Sequence, residues 1–480
     1  MKLSQLLSGV HVTELKADPN LEISGVSYDS RTTKPGDLFV AVTGFAADGH
    51  KFIPMALEKG AAAVLCEHGP VGAPYILTGS SRAALAAVGA NWFGHPAESM
   101  KITGITGTNG KTTSTYLLKT VLERCLGARV GLIGTICNMI DSEELETERT
   151  TPESFEVQAL LAQMRDAGCT HVVMEVSSHA LLLNRVDCIP FAVGVFTNLT
   201  EDHLDFHKTM EAYAEAKALL FTRCKESVLN LDDEWVDRMR EKVNGPLLTY
   251  AVKNAADLTA RDIQLESDHV TFTAACGGES LPVRLDIPGG FTVYNALSVI
   301  GAALRLGAKL PDIAAALREA KGVKGRVEVV PTPGKDYTIL IDYAHTPDSL
   351  ENVLKSVRGF CKGRVIAVFG CGGDRDPIKR PIMGRIGVEL SDLAVITSDN
   401  PRTEDPNEII RQITAGFEGS GKPHQVIENR RQAIRWAMDH AEKDDIIVLC
   451  GKGHETYQIL GTEKTHLDER EEVAAHLEAR

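Results

Sequence analysis

The stretch KITGITGTNGKTT, residues 101–113, sets three glycines ahead of a lysine and two threonines. Gly104, Gly107 and Gly110 allow close backbone approach, and the exposed N–H groups of a helix opening near Thr112 suit phosphate oxygens. Lys111 supplies a point charge to the outer phosphates of a nucleotide, and the Thr112 hydroxyl is a hard oxygen for Mg2+. The first glycine lies one residue further from Gly110 than the pattern GxxxxGK[ST] requires. A glycine turn with a solvated lysine is the plain alternative. The apolar strand before the loop and Lys-Thr-Thr at the helix start favour nucleotide binding over it.

Two clusters downstream combine acids with imidazoles. HVVMEVSSHAL places Glu175, Ser177, Ser178 and His179 at the end of an apolar strand, and AVGVFTNLTEDHLDFH does the same with Asn198, Glu201, Asp202, His203, Asp205 and His207. A lone Glu in a buried strand is usually a paired structural residue. Two such strand ends after a phosphate loop are better explained by nucleotide-bound Mg2+, which takes one or two protein carboxylates and keeps waters and phosphates as its other ligands. No HExxH and no Cys/His ligand spacing occurs, which speaks against zinc.

A third cluster follows the apolar run LAVI. In TSDNPRTEDP, Arg402 sits behind Pro401, two places past the Asp399-Asn400 turn. A planar guanidinium grips a carboxylate with two parallel hydrogen bonds. Taken alone, a turn with a solvated arginine fits equally well. GGDRD with Arg375, and GKGHE with Gly451 and Glu455, fall at neighbouring strand ends and favour an anion site. FGCGGDRD is no dinucleotide fingerprint, because Arg375 stands where the last glycine of GxGxxG is needed.

These clusters need a scaffold of parallel strands, since ligands gather at the carboxyl ends of such strands. Short apolar runs alternate with helical patterns along the chain, which predicts an α/β fold. At 480 residues the chain is too long for one core, so two or three domains are expected. We divide it at 1–98, 99–326 and 327–480. The first part holds the strands DLFVAV and AAAVLC. The second runs from MKITGIT to the helix VYNALSVIGAALRLG. The third alternates YTILID, RVIAVFG, DLAVIT and DIIVLCG with the helices PDSLENVLKSV, NEIIRQITAGF and NRRQAIRWAMDHA.

Composition bounds the remaining classes. The net charge of −14 argues against a general nucleic-acid binder. No apolar run reaches a membrane-spanning length of roughly 18 residues, and MKLSQLLSGVHVTEL lacks the features of a secretion signal, so a cytoplasmic protein without membrane insertion is expected. The ten cysteines show no CxxC pair, and Cys66, Cys169 and Cys450 lie in or beside apolar segments, which predicts buried reduced thiols.

The motifs GITGTNGKTT, MEVSSHAL, TNLTEDHLDFH, YAEAKALLF, NALSVIGA and DYAHTPDSL resemble the Mur ligase family. VSYDSRTTKPGDLFVAVTGFAADGHKF extends the resemblance into the N-terminal part, where it is similar to the branch adding the third amino acid of the peptidoglycan stem peptide. The resemblance implies a small N-terminal α/β domain for the uridine-nucleotide substrate, a central P-loop-like parallel-sheet domain for ATP, and a C-terminal Rossmann-like domain for the amino acid. It implies ATP and two Mg2+ ions as cofactors, small-molecule partners and a monomer.

By the same resemblance, Gly107, Thr108, Asn109, Gly110, Lys111, Thr112 and Thr113 hold the ATP phosphates. Thr112, Glu175 and His203 are metal ligands, and Lys217 matches the lysine that the family carbamylates to place a second Mg2+. The residues alone make Lys217 no more than a helix-surface lysine. Asn295 and Asp342 resemble residues meeting adenine and ribose, and Arg326 one near the phosphates. Ser30 matches a uridine-nucleotide contact, and Thr150, Thr151, Ser178 and Arg185 match contacts to the muramoyl dipeptide. Arg149 stands where Asn commonly precedes the Thr-Thr pair, and Leu183 where Gln is common. DNPR resembles the signature of members that add meso-diaminopimelate rather than lysine. Arg402 is then the grip for its distal carboxylate, with Asp399 and Asn400 ordering the turn and meeting the amine, and Arg375, Pro401, Gly451 and Glu455 completing the site.

Amide formation from a carboxylate requires activation, here as an acyl phosphate made with the γ-phosphoryl of ATP. That species must be kept from water, so closure of the third domain over the second is expected, hinged near KGVKGR. His207 and Asp342 are the candidates for the base that takes the amine's proton. Three rivals stay open at this point. A lysine-adding ligase and a folylpolyglutamate synthetase belong to the same family. A nucleotide-driven switch or motor that makes no amide bond is the third.

Overall fold

Runs of four to seven mostly apolar residues, closed by Gly, Pro or Asp-Asn turns, become strands throughout the computed structural model. It describes residues 1–44, 47–69, 72–147 and 149–479. Phe45 and Ala46, inside the N-terminal motif quoted above, lie outside the described residues. The chain divides into two compact units, residues 1–257 with 298–309, and residues 258–297 with 310–480.

The first unit carries two sheets. Strands β1 (Val12–Lys16), β2 (Gly25–Ser27), β3 (Asp37–Val40), β4 (Ala63–Cys66) and β5 (Tyr75–Thr78) run in the order β1-β5-β4-β3-β2, parallel except where β1 meets β5. Buried β3 and β4 form its spine. The helix Ser81–Trp92 follows, and the hydroxyl of its N-cap Ser80 accepts the Ala83 N–H.

The second sheet of this unit contains β6 (Lys101–Thr106), β7 (Val130–Ile133), β8 (Asn138–Ile140), β9 (Glu143–Leu145), β10 (His171–Glu175), β11 (Phe191–Phe196), β12 (Cys224–Asn230) and β13 (Leu247–Ala251). Their order is β13-β12-β11-β6-β10-β7-β8-β9. Neighbours from β13 to β7 are parallel, and β8 and β9 add an antiparallel edge. Central β6 thus ends between the ends of β10 and β11, so the loop that follows it faces both of their polar termini.

The second unit opens with an antiparallel meander, β14 (Leu258–Leu265), β15 (Val270–Cys276) and β16 (Glu279–Leu285). The sequence reading assigned no elements there. The alternating burial along β15 is that of a sheet with one covered face. Then come β17 (Glu328–Val330), β18 (Thr338–Asp342), β19 (Val365–Phe369), β20 (Leu393–Ile396), β21 (His424–Val426) and β22 (Ile446–Cys450), ordered β17-β18-β22-β19-β20-β21. Only β17 is antiparallel to its neighbour.

Helices cover both faces of this sheet. Leu350, Leu354, Met383 and Ile410 pack on one side, and Ala433, Ile434 and Val473 on the other. The helix Pro347–Arg358 starts where the sequence dictates, with Thr346 and Ser349 forming a capping box and Pro at the first position. A hairpin of β23 (Tyr457–Leu460) and β24 (Glu463–His466) lies beyond β22. The four strands and three helices expected for this region all form. Cys66, Cys169 and Cys450 are buried and free, as expected.

Candidate active site

The phosphate loop hangs between β6 and the helix Lys111–Leu126. Gly110 takes φ 83° at the N-cap, which a side chain would strain. At Gly107 a Cβ would lie 1.9 Å from Thr197 Oγ1 and 3.0 Å from the Asn198 backbone, so the loop can meet the end of β11 only as glycine. Thr108 N donates to Asn198 O (2.8 Å), Asn109 N to Asn198 Oδ1 (2.9 Å), and Thr197 Oγ1 to Asn109 O (2.7 Å). Lys111 Nζ folds back to donate to Gly107 O and Thr108 O, each at 2.8 Å. Thr112 and Thr113 are buried in the first helical turn.

Fully buried Glu175 ends β10 directly beside this loop. Its carboxylate accepts Thr112 Oγ1 (3.1 Å), Thr135 N (2.9 Å) and Thr135 Oγ1 (3.0 Å). A carboxylate next to a threonine hydroxyl is a hard oxygen pair that fits Mg2+. His203 takes φ 54° and sits half-exposed, edge-on to His179 with ring centroids 5.0 Å apart. Among the described residues Glu175 and His203 belong to no three-ligand group. Among the described residues the only such group is Asp48, His50 and His68. Both His50 nitrogens are engaged there, Nδ1 with Asp48 Oδ1 at 2.7 Å and Nε2 as acceptor from Glu67 N at 3.0 Å.

Lys217 is a correction to the reading from residues alone. It is 1% exposed, not a surface lysine, and donates from Nζ to Gly107 O at 2.8 Å. Burial drives its pKa well below the ordinary lysine value, and the charge of Lys111 adds to the effect. His207 is also buried, with Nε2 2.8 Å from Ser178 Oγ. Desolvation, followed by His179, Lys217 and His203, pushes its pKa down to about 4. Such an imidazole is a weak proton acceptor, and its contact is with Ser178. Asp342 is equally occupied, because its two oxygens accept Val327 N and Ala344 N, each at 2.9 Å. Burial raises its pKa despite Arg326 nearby. His207 keeps Nδ1 without a hydrogen-bond partner among the described residues but is too weakly basic for the role, and Asp342 already accepts one N–H on each oxygen.

A cleft of about 850 Å³ in the first unit is lined by Tyr28, Asp29, Arg82, Arg149, Glu153 and Arg185, among others. Glu153 collects three arginines, with Arg82 at 3.3 Å, Arg185 at 3.2 Å and Arg149 at 3.7 Å. Arg185 also donates to Thr151 O at 3.2 Å, while Thr151 Oγ1 donates to Glu175 O at 2.8 Å. The cleft is therefore tied to the end of β10. Thr150 pairs with Thr135 through their hydroxyls at 3.0 Å. Ser30 is buried with its hydroxyl on Met55 Sδ, and Asp29 and Tyr28 line the cleft instead. Leu183 ends a short helix, Ser178–Leu182, that leads to Arg185.

In the second unit, a cavity of about 220 Å³ opens at the carboxyl ends of the parallel strands. It is lined by Tyr343, His345, Gly370, Gly372, Arg375, Lys379, Asp399, Asn400, Arg402, Gly451 and Glu455. Arg402 takes φ 51° and is held by its backbone, N donating to Ile459 O (3.1 Å) and O accepting Gly461 N (2.8 Å). Its Nη1 donates to Gly373 O at 2.9 Å. Gly451, φ 116°, leaves room for Asp399, whose Oδ2 would be 2.4 Å from an added Cβ. The GGDRD and DNPRTED loops are stitched together. Thr403 Oγ1 donates to Asp374 Oδ1 (2.7 Å), and Arg380, 1% exposed, grips Glu404 with two bonds of 2.8 Å. That grip holds the Glu404 carboxyl below its ordinary pKa.

All seven residues expected to hold the amino acid meet around this cavity, six lining it and Pro401 between two of them. Asn295 is buried in the helix Gly290–Arg305, and Arg326 stacks on Tyr343 at 5.6 Å from the ring centroid. Sequence reasoning missed Lys379, Tyr343, Lys452, Arg380 and Glu153. Tyr343 stood inside DYAHTPDSL and Lys452 inside GKGHE, each without an assigned role. Arg380 and Glu404 lie too far apart in sequence for any spacing rule to pair them.

Residues 22–92 match the Mur ligase family catalytic domain, residues 105–303 the Mur ligase middle domain, and residues 325–453 the Mur ligase glutamate ligase domain. The UDP-N-acetylmuramoyl-L-alanyl-D-glutamate–2,6-diaminopimelate ligase 1 of Clostridium acetobutylicum is 47% identical, with 99% of this chain and 98% of that protein covered. The ligase of the same name from Clostridium botulinum is 46% identical over 98% of this chain and 99% of its own. A solved UDP-N-acetylmuramoyl-L-alanyl-D-glutamate–2,6-diaminopimelate ligase aligns with a TM-score of 0.75 at 32% identity, covering 100% of this chain and 99% of that one.

Proposed function

The chain belongs to the Mur ligase family, and from that premise we propose that it is an ATP-dependent, ADP-forming ligase that adds meso-2,6-diaminopimelate to UDP-N-acetylmuramoyl-L-alanyl-D-glutamate in peptidoglycan precursor synthesis. The observation that carries the choice of amino acid is the cavity joining Arg402 to Asp399 and Glu455. It offers opposite charges to a tail that ends in both a carboxylate and an ammonium, whereas the tail of lysine ends in an ammonium alone.

The γ-phosphoryl group passes to the glutamyl side-chain carboxylate, giving an acyl phosphate and ADP. The amine nitrogen then attacks the acyl carbon, the C–N bond forms, phosphate leaves with the C–O electron pair, and the nitrogen's surplus proton passes to water or the departing phosphate. Lys111 leaves the loop carbonyls to meet the outer phosphates, and the loop N–H groups from Gly107 to Thr113 cradle the rest. Thr112, Glu175 and His203 would hold Mg2+, which would supply charge neutralisation to the transferring phosphoryl group. Lys217, once carbamylated, would serve a second ion. Its depressed pKa supports this, because carbon dioxide reacts with the neutral amine. Arg185, Thr150, Thr151 and Ser178 hold the muramoyl substrate, His207 positions Ser178, and Ser30 serves the uridine nucleotide only if its hydroxyl turns away from Met55. Asn295, Asp342 and Arg326 serve the nucleotide.

The enzyme works as a cytoplasmic monomer in three domains, 1–98, 99–326 and 327–480. Among the described residues no helix is long and apolar enough to cross a membrane. The test is phosphate release from ATP with the muramoyl dipeptide, comparing meso-diaminopimelate with L-lysine. Equal rates would end the assignment of the amino acid, and turnover without any amine would end the ligase.

A further inference from the structure

Behind the amino-acid cavity lies a cation that the chemistry above does not use. Lys452 is completely buried, yet its ammonium has two hydrogen-bond acceptors, Asn400 Oδ1 at 3.1 Å and Glu455 Oε2 at 2.9 Å. The Tyr457 ring lies 5.6 Å from Nζ. We propose that Lys452 is the positioning residue for diamino-acid recognition, orienting Asn400 and Glu455 so that Glu455 Oε1 receives the distal ammonium. The proposal rests on the ligase reading above and deepens it.

The side-chain amide of Asn400 has its orientation dictated by its neighbours. Its Oδ1 accepts from both Lys452 Nζ and Ile459 N, the latter at 2.9 Å, and its Nδ2 donates to Glu455 Oε2 at 3.0 Å. Flipping the amide would turn its NH2 toward two donors and its oxygen toward a carboxylate. Both Oδ1 lone pairs are spent, so Asn400 has no acceptor left for an ammonium. This departs from the expectation that Asn400 meets the amine. Glu455 Oε2 is likewise filled, by Asn400 and Lys452. Among the described residues no hydrogen bond falls on Glu455 Oε1, and Glu455 lines the cavity. Asp399 lines the same cavity as a second carboxylate. Arg402 stands in the same wall for the carboxylate. Amine and carboxylate are then read by different groups at fixed positions, which selects one stereochemical arrangement of the tail.

The experiment compares the wild type, Lys452→Met, Lys452→Arg, Glu455→Gln and the Lys452→Met/Glu455→Gln double variant. The substrates are meso-diaminopimelate and 2-aminopimelate, which lacks the second amine, with thermal melts alongside. Lys452→Met should raise KM for meso-diaminopimelate about tenfold or more, leaving kcat and the KM for ATP nearly unchanged. It should also erase most of the preference over 2-aminopimelate. Because Lys452 acts through Glu455, the double variant should be little worse than Glu455→Gln alone. Additive losses, or a preference for the second amine that survives Lys452→Met, would overturn the proposal. If Lys452→Met does not fold, the same preference is read on Lys452→Arg, whose planar head cannot reproduce the two bonds. Full retention of the preference there overturns it equally. A wild type that fails to ligate meso-diaminopimelate sinks the ligase reading itself, which is a different result from a ligating wild type with indifferent Lys452 variants.

Discussion

Truncating Arg402 to alanine separates recognition from architecture. The backbone of residue 402 is held through Ile459 O and Gly461 N, and neither bond involves the side chain. Its φ of 51° strains any residue with a Cβ, so alanine suffers there much as arginine does and the backbone contribution nearly cancels. What the fold loses is the single bond from Nη1 to Gly373 O at 2.9 Å, a net cost of about 1 kcal/mol. What the substrate loses is a charge-assisted, two-pronged grip on its distal carboxylate, about 3 kcal/mol. At about 1.4 kcal/mol per decade, that is a rise of roughly a hundredfold in KM for meso-diaminopimelate. The assay is phosphate release at saturating muramoyl dipeptide, with meso-diaminopimelate and then ATP varied, alongside a urea titration. KM for ATP should stay within about a factor of two. Discrimination against L-lysine should collapse, because the wild-type penalty comes from leaving the guanidinium unpaired. If KM for ATP rises in step with KM for diaminopimelate, Arg402 holds the fold, and the recognition argument fails.

Lys111→Ala should lower kcat by about a thousandfold or more with any amine, measured in single turnovers, since it removes the charge aimed at the transferred phosphoryl group. Near-normal turnover would show that the loop lysine is only solvated. Gly373→Ala places a Cβ 1.9 Å from Pro401 O and 2.8 Å from Pro401 C, both backbone atoms, so it should cost about 3 kcal/mol or more in urea unfolding. A midpoint equal to the wild type would refute that packing. Burial raises the Glu156 carboxyl above its ordinary pKa, while Tyr28 donates to it. The folded state therefore binds this proton more tightly than the unfolded chain, and the associated stability is lost as pH rises through the folded value. Glu156→Gln, an uncharged stand-in, should raise Tm near about pH 7, with the gain vanishing toward about pH 4. A gain that persists in acid would point to another cause.

The phosphate loop, the strand ends carrying Glu175 and Arg402, and the parallel character of both large sheets were all legible in the linear sequence. Each is a local pattern of an apolar run, a glycine or proline turn, and a polar residue at the exit. The capping box at Thr346 and Ser349 is of the same kind. The antiparallel meander at 258–285 also carried a local signal, the Gly277-Gly278 pair between two alternating runs, and it went unassigned. The burial of Lys217 against Gly107 O depends on a contact 110 residues away in sequence, and no helical period reveals it. The same holds for Arg380 on Glu404, for three arginines on Glu153, and for Lys452 under Asn400. A sequence by itself determines which backbone segments form and where each strand releases its polar residues, because those choices rest on neighbours a few positions away. Which charges are stripped of water, and which oxygen of a carboxylate is already taken, is decided only when distant strand ends meet, since desolvation and hydrogen-bond saturation belong to the assembled environment.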